Sequence, residues 1–173
     1  MICAGNWTVS KRPIVCDTTV LLYLGRIGQA GLLPELFAPV CIPEPILLEL
    51  DMGRILRHDT INPRELTWAI PVSASQATIE ALPPNRLGTG EQAVIAYAHA
   101  HDDYVAGLDD FQARQLAEAV GLKVVGILGI LLRAKQAGLI ATVQPLVDDV
   151  TAQGFWLGPE LYRAVLELAG EAS

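Results

Sequence analysis

The stretch Pro13-Ile14-Val15-Cys16-Asp17-Thr18-Thr19-Val20-Leu21-Leu22-Tyr23-Leu24 changes character at Asp17. Residues 13–16 are a short apolar run, the length of a buried strand. Residues 18–24 continue as a helix, and Asp17 between them is a favoured N-cap. A strand that runs straight into a helix opens an α/β unit. The same change recurs in Tyr104-Val105-Ala106-Gly107-Leu108-Asp109-Asp110-Phe111. There too a carboxylate follows the apolar run, at the carboxyl end of a strand, where open α/β sheets hold their ligands.

Working outward, strand and helix alternate. A second helical piece runs to residue 37, and residues 39–42 form a short strand. Glu44 and Pro45 open a helix through residue 50, proline in a first turn having no hydrogen bond to lose. Residues 52–64 read as a polar, broken loop and 66–72 as a further strand. A short helix over 73–82 is stopped by Pro83 and Pro84. Helices follow over 91–101, 111–120 and 127–137, with strands at 104–108 and 123–125. Gly121 and Gly138 stop two of those helices, and helices over 143–152 and 159–169 close the chain. Short apolar strands separated by helices call for a mostly parallel sheet of four to five strands covered on both faces, a three-layer α/β/α fold. Residues 13–173 read as one domain including the final helices, and residues 1–12 as a loose leader.

The totals agree with one cored domain: 173 residues, 51% of them hydrophobic. No apolar run reaches the roughly 18 residues of a membrane helix. No basic start followed by an apolar block marks a secretory signal. Cys3, Cys16 and Cys41 lack metal-type spacing; Cys16 and Cys41 read as small buried hydrophobes. Reduced thiols and the missing signal lead to the expectation of a cytoplasmic protein. The net charge of −7 counts against a sequence-reading nucleic-acid binder. It leaves room for a nuclease, because bound cations reverse the local field of an acidic site.

Four carboxylates stand beside apolar segments: Asp17, Glu49, Glu91 and Asp109. Each has a plainer reading. Asp17 is a helix cap. Glu49 flanks the stripe of Ile46 and Leu50 and reaches solvent. Glu91 favours its helix dipole, in a capping box with Thr89 as the cap and Gln92 reaching back. Either Asp109 or Asp110 caps the helix beginning near Phe111, with Asp109 nearer the strand end and Asp110 a second-site ligand. Together they are an oxygen-donor set suited to Mg2+ or Mn2+ and to metal-assisted phosphodiester chemistry. Thr18 or Thr19 is a polar helper, and Arg114 and Lys135 are weak candidates for gripping phosphates. His58, His99 and His101 show no zinc spacing. An aspartate-phosphatase reading founders on Thr19, where a second Asp is wanted.

At these residues the chain resembles a known group. The order is an apolar strand ending in Asp17-Thr18-Thr19, then Pro43-Glu44-Pro45 with Glu49-Leu50, then Gly88-Thr89-Gly90-Glu91 opening an alanine-rich helix, then Leu108-Asp109-Asp110 with Ala113-Arg114. This order resembles the PIN-domain superfamily, which includes VapC-type toxins of bacterial toxin–antitoxin pairs. More narrowly it resembles a prokaryotic PIN-like family, through residues 124–139 and the ending 154–171. The resemblance covers roughly residues 13–171. It implies a parallel sheet between helices and a carboxylate site of Asp17, Glu49, Glu91 and Asp109. That site would bind Mg2+ or Mn2+ and cleave single-stranded RNA. It also implies partners: a small antitoxin protein and a second copy in a homodimer. An alternative on the same fold is a weakly catalytic or non-catalytic module that binds such a partner. Leu108 and Val125 depart from the small polar residues PIN toxins usually carry there, which bears on substrate positioning.

Overall fold

A computed structural model describes residues 11–57 and 60–171. Most of the expected leader, with Cys3, and also His58 lie outside the described residues. The strands are β1 (Ile14–Cys16), β2 (Val40–Pro43), β3 (Ala69–Val72), β4 (Val105–Gly107) and β5 (Lys123–Val125). They form one parallel sheet in the order β3-β2-β1-β4-β5. The helices between them are α1 (Thr18–Arg26), α2 (Leu32–Leu36), α3 (Glu44–Leu56), α4 (Gln76–Glu80), α5 (Thr89–Ala100) and α6 (Phe111–Ala119). After β5 come α7 (Ile127–Gln136), α8 (Gln144–Ala152) and α9 (Pro159–Ala169). The fold is a three-layer α/β/α sandwich.

The three central strands are apolar throughout because both of their faces are covered. Ile14, Val15, Cys16, Val105 and Ala106 are fully or almost fully buried, as parallel strands between helices must be. Pro71 stands in β3, an edge strand, where a missing amide costs least. Cys16 and Cys41 are free, buried thiols; Cys16 packs 3.2 Å from where a Cβ would stand at Gly107.

The strand order reverses direction once. β1, β2 and β3 step outward one way; the chain then crosses to β4 and β5 on the other side of β1. Right-handed crossovers therefore carry α1 and α5 onto opposite faces. α5 packs on β1, β2 and β4, while α1 meets α7 and α8. The crevice of such a sheet opens between the carboxyl ends of the two strands at the reversal. Those strands are β1 and β4, paired in parallel with Cys16 opposite Gly107. Asp17 follows β1 directly, and Asp109 lies two residues beyond β4.

Three boundaries differ from expectation. Residues 52–56, expected in a loop, prolong α3. Gly53 suggests a break locally, but there the helix passes Thr60, 3.5 Å from the space a Cβ would fill. Arg64 also reaches back to Asp51 Oδ2, at 2.7 Å from Nη2 and 3.1 Å from Nε. The strand expected over 66–72 is confined to β3, after a 3-10 turn at Pro63–Glu65 capped by Asn62. The helix expected over 73–82 shortens to α4, capped by Ser75.

The final helices are tied down by one carboxylate. Glu171 accepts from Lys135 Nζ at 2.6 Å, from Val143 N at 2.6 Å and from Gln144 N at 2.8 Å. It thereby caps the otherwise uncapped start of α8. Lys135 Nζ also donates to Ala169 O at 2.7 Å. Among the described residues no helix is long and apolar enough to cross a membrane.

The Lys135 ammonium and the two amides hold the Glu171 carboxyl at about 2. A depressed acid stabilises the fold above its ordinary pKa and loses that contribution as pH falls toward the folded value. Glu171→Gln is expected to lower the thermal midpoint at pH 7 and to remove part of the wild-type decline between about pH 4.5 and 2. Thermal melts across that range check it; identical curves would refute the clamp.

Candidate active site

Asp17 is almost wholly buried, with 3% of its surface exposed. It caps α1: Oδ1 accepts from Val20 N at 2.8 Å. Its own amide donates to Gly107 O at 3.0 Å, fastening it to the end of β4. Burial raises its carboxyl to about 8, and the charges of Asp109 and Glu91 push the same way against the Val20 amide. A helix cap alone does not need two like charges beside it.

Asp109 lies two residues beyond β4. Its carboxylate accepts from Ile127 N, the first amide of α7, at 3.1 Å for Oδ2 and 3.3 Å for Oδ1. Burial raises it to about 6, while the Ile127 amide and the Arg114 charge pull it down. Gly126 makes this seat: a Cβ there would stand 2.3 Å from Asp109 Oδ1 and 3.0 Å from Arg114 Nη1. Arg114 Nη1 donates to Leu108 O at 2.9 Å, which holds the guanidinium beside the site. Asp110 is the N-cap of α6, accepting from Ala113 N at 2.9 Å.

Glu49 and Glu91 come from the helices above the same sheet edge. Thr18 Oγ1 donates to Glu49 Oε2, joining α1 to α3. Gly90 leaves room for that carboxylate, since a Cβ there would lie 2.6 Å from Glu49 Oε1. Glu91 Oε2 accepts from Gly88 N at 3.0 Å. The cap of α5 is therefore Gly88, with Glu91 reaching back, rather than Thr89 with Gln92. Gln92 Nε2 instead donates to Asn85 Oδ1 at 2.9 Å and to Leu87 O at 3.1 Å. Burial raises Glu91, with Asp110 and Glu49 adding to the rise against the Gly88 amide. Thr19 lies half-buried in the first turn of α1.

The carboxylates thus feel one another's charge: Asp17 that of Asp109 and Glu91, and Glu91 that of Asp110 and Glu49. Among the described residues no three Asp, Glu, His or Cys side chains stand close enough to hold one ion as they are arranged. The donor chemistry still fits a hard divalent cation. All donors are oxygen, and several carboxyls are raised by burial and by each other's charge, a penalty that a cation relieves. Glu91 and Glu49 would have to turn from Gly88 N and Thr18 to join Asp17 and Asp109. Lys135, expected as a phosphate contact, is engaged elsewhere. It sits eight residues beyond Ile127, about 12 Å along α7, and its ammonium pairs with Glu171.

Two glycines and one amide escaped the reading of the sequence. Gly90 and Gly126 make space for Glu49 and Asp109, and Ile127 N holds Asp109. A signal for the second glycine existed: Val125-Gly126-Ile127 joins strand to helix as Cys16-Asp17-Thr18 does.

A family model described as a PIN domain matches residues 13–171. No curated protein matches the chain. The chain belongs to the PIN-domain family, whose members are generally nucleases that use divalent metals.

Two predictions follow from this geometry. Between about pH 4 and 8 the native chain keeps a proton on Asp17 that the unfolded chain has lost, so stability falls as pH rises through that window. The nominal upper bound is about 6 kcal/mol. In chelator, denaturant titrations should show this decline. Asp17→Asn, which keeps the cap, should flatten it, and equal slopes in the two proteins would contradict the burial argument. At Gly126 the backbone angle φ is −105°, which alanine adopts freely. Gly126→Ala should therefore fold yet displace Asp109, weakening Mn2+ binding by about tenfold or more; unchanged calorimetric affinity would remove Asp109 from the ligand set.

Proposed function

We propose that this PIN-domain protein is a Mg2+- or Mn2+-dependent endoribonuclease acting on single-stranded RNA. The observation that carries the reading is the buried Asp17 carboxyl, raised to about 8 beside Asp109 and Glu91 at the point where the strand order reverses. So costly an arrangement is expected where charge is needed for function.

Asp17, Glu91 and Asp109 would hold the cation, with Asp110 available to a second ion and Glu49 completing the catalytic carboxylates. A hard cation bound there lowers the pKa of a water and offsets charge on a leaving oxygen. The chain's own contribution is position. Val20 N and Ile127 N fix Asp17 and Asp109 from two helix starts. Thr18 orients Glu49 and leaves Thr19 as the neighbouring hydroxyl. Arg114, pinned on Leu108 O, presents a positive charge to a phosphate beside Asp109. The resemblance of the motif order to toxins of toxin–antitoxin pairs supports single-stranded RNA as the substrate and a cytoplasmic setting.

One observation favours a second reading, a module that binds a small antitoxin-like partner. Leu48, Met52, Ile55 and Leu56 are 59–81% exposed along one side of α3. Leu48, Met52 and Leu56 border a groove with Glu49 and Thr89. Four large apolar side chains left in water on one helix suit a protein partner, whether an antitoxin or a second copy. Calorimetry with Mn2+ separates the readings: no binding below millimolar concentration favours the module.

The purified protein is expected to cleave single-stranded RNA with Mn2+ or Mg2+ and to stop in excess chelator. Asp17→Asn and Asp109→Asn should each reduce the rate by about a hundredfold or more, the loss expected when a metal ligand is removed. Cleavage by both variants at the wild-type rate would falsify the proposal.

A further inference from the structure

The chain climbs out of the acidic crevice over four residues. Leu108 is buried, Asp109 is partly buried, and Asp110 and Phe111 are exposed. Phe111 opens α6 with 70% of its surface in water. Among the described residues, the other Phe, Tyr or Trp that is mostly exposed is Trp156, between α8 and α9. A single apolar residue at a surface is ordinary. What sets Phe111 apart is its place, directly after the two aspartates. The core does not use its ring, since Ala113 and Ala117 form the buried face of α6. Side chains lean toward the amino end of their helix, so the ring leans toward Asp110 and the crevice. The starts of α5 and α6 adjoin here: the two helices pack together, and Glu91 feels the charge of Asp110. The loop leading into α5 is pinned by Asn85, which donates to Pro83 O at 2.9 Å and accepts from Leu87 N at 3.1 Å. Between Asn85 and Leu87 stands Arg86, which is exposed and meets no acceptor or acid among the described residues.

We infer that the start of α6 is a nucleotide subsite of the acidic site, with one RNA base stacked on Phe111 and a phosphate of the same strand on Arg86. The inference rests on the ribonuclease reading above for the identity of the strand. Three features carry it. First, an aromatic face left in water suits a base, because every base has a π-face and stacking needs no hydrogen-bond pattern. A single strand can turn its bases out onto such a platform, whereas a duplex keeps them stacked inside. Second, a chain of net charge −7 with a carboxylate cluster repels a polyanion, so a bound strand needs a cation near its path. Arg86 is an unengaged one, and its loop is already fixed by Asn85, which limits the ordering that binding must impose. Third, the two residues bracket the acids. Phe111 adjoins Asp110, and Arg86 stands two residues before Gly88, whose amide holds Glu91. A strand touching both lies over these carboxylates. The subsite selects for an unpaired base rather than for a sequence.

The test is equilibrium binding of a short fluorescein-labelled oligouridine to the full chain in excess chelator, read by anisotropy, so that no cleavage is involved. Phe111→Ala should weaken binding by about tenfold without changing the slope of log K against log salt. Phe111→Trp should keep the affinity. Arg86→Met should reduce that slope by about 0.7, the share of one phosphate on a single strand, and Arg86→Lys should restore it. Oligomers with one abasic residue, placed at each position in turn, identify the stacked base. At one position the missing base should cost the wild type about tenfold and cost Phe111→Ala nothing. Wild-type affinity in Phe111→Ala, a wild-type slope in Arg86→Met, or an equal loss in Trp156→Ala overturns the subsite. The two proposals fail separately. If the wild type binds RNA with this dependence yet never cleaves it with Mn2+, the ribonuclease reading falls and the subsite stands. If it cleaves and the variants keep its KM, the subsite falls alone. If it neither binds nor cleaves RNA, both fall.

Discussion

The Asp17 carboxylate sits almost out of water at the carboxyl end of β1, beside the charges of Asp109 and Glu91. The site depends on that confinement. A carboxylate removed from water resists ionisation, and like charges nearby strengthen the resistance. The fold supplies limited compensation through the Val20 amide. Asp109 is treated in the same way, with the Ile127 amide as its donor and Arg114 as a nearby cation. Two helix starts, α1 and α7, thus each present an amide to a carboxylate. The net result is two acids fixed in place, with Asp17 holding its proton up to about pH 8.

What holds the acids in position is largely absence of bulk. Gly126 lets Asp109 lie against the start of α7, and Gly90 lets Glu49 lie against the start of α5. Their Cβ atoms would intrude to 2.3 and 2.6 Å respectively on carboxylate oxygens. The bond from Thr18 to Glu49 then joins α1 to α3 over the sheet edge. Elements far apart in the chain are coupled here by short polar contacts, while the sheet beneath is held by apolar burial.

The strands and most helices were legible because their signals are local. Residues 13–16 and 104–108 are apolar and end in acids, and Gly121 and Gly138 mark helix ends with φ of +85° and +72°. The extension of α3 past Leu50 was not legible, since Gly53 and the polar residues around it favour a break until Thr60 and Arg64 are in place. The cap of α5 was misplaced by one residue: both Gly88 with Glu91 and Thr89 with Gln92 satisfy capping spacing. Only the position of Asn85, which takes Gln92, separates them. Lys135 read as a weak phosphate contact, because its partner Glu171 lies 36 positions away.

By itself the sequence determined the α/β alternation, the burial of β1 and β4 and the placing of an acid just beyond each. Those properties follow from hydrophobic runs and helix caps only a few residues long. The tertiary structure alone decided that β4 lies beside β1, bringing Asp17 and Asp109 to one crevice. It also decided that Glu49 bonds Thr18, and that the carboxylates feel one another's charge. Strand order and side-chain approach depend on packing between distant segments, and no local pattern encodes a distance between residues that meet only when the chain is folded.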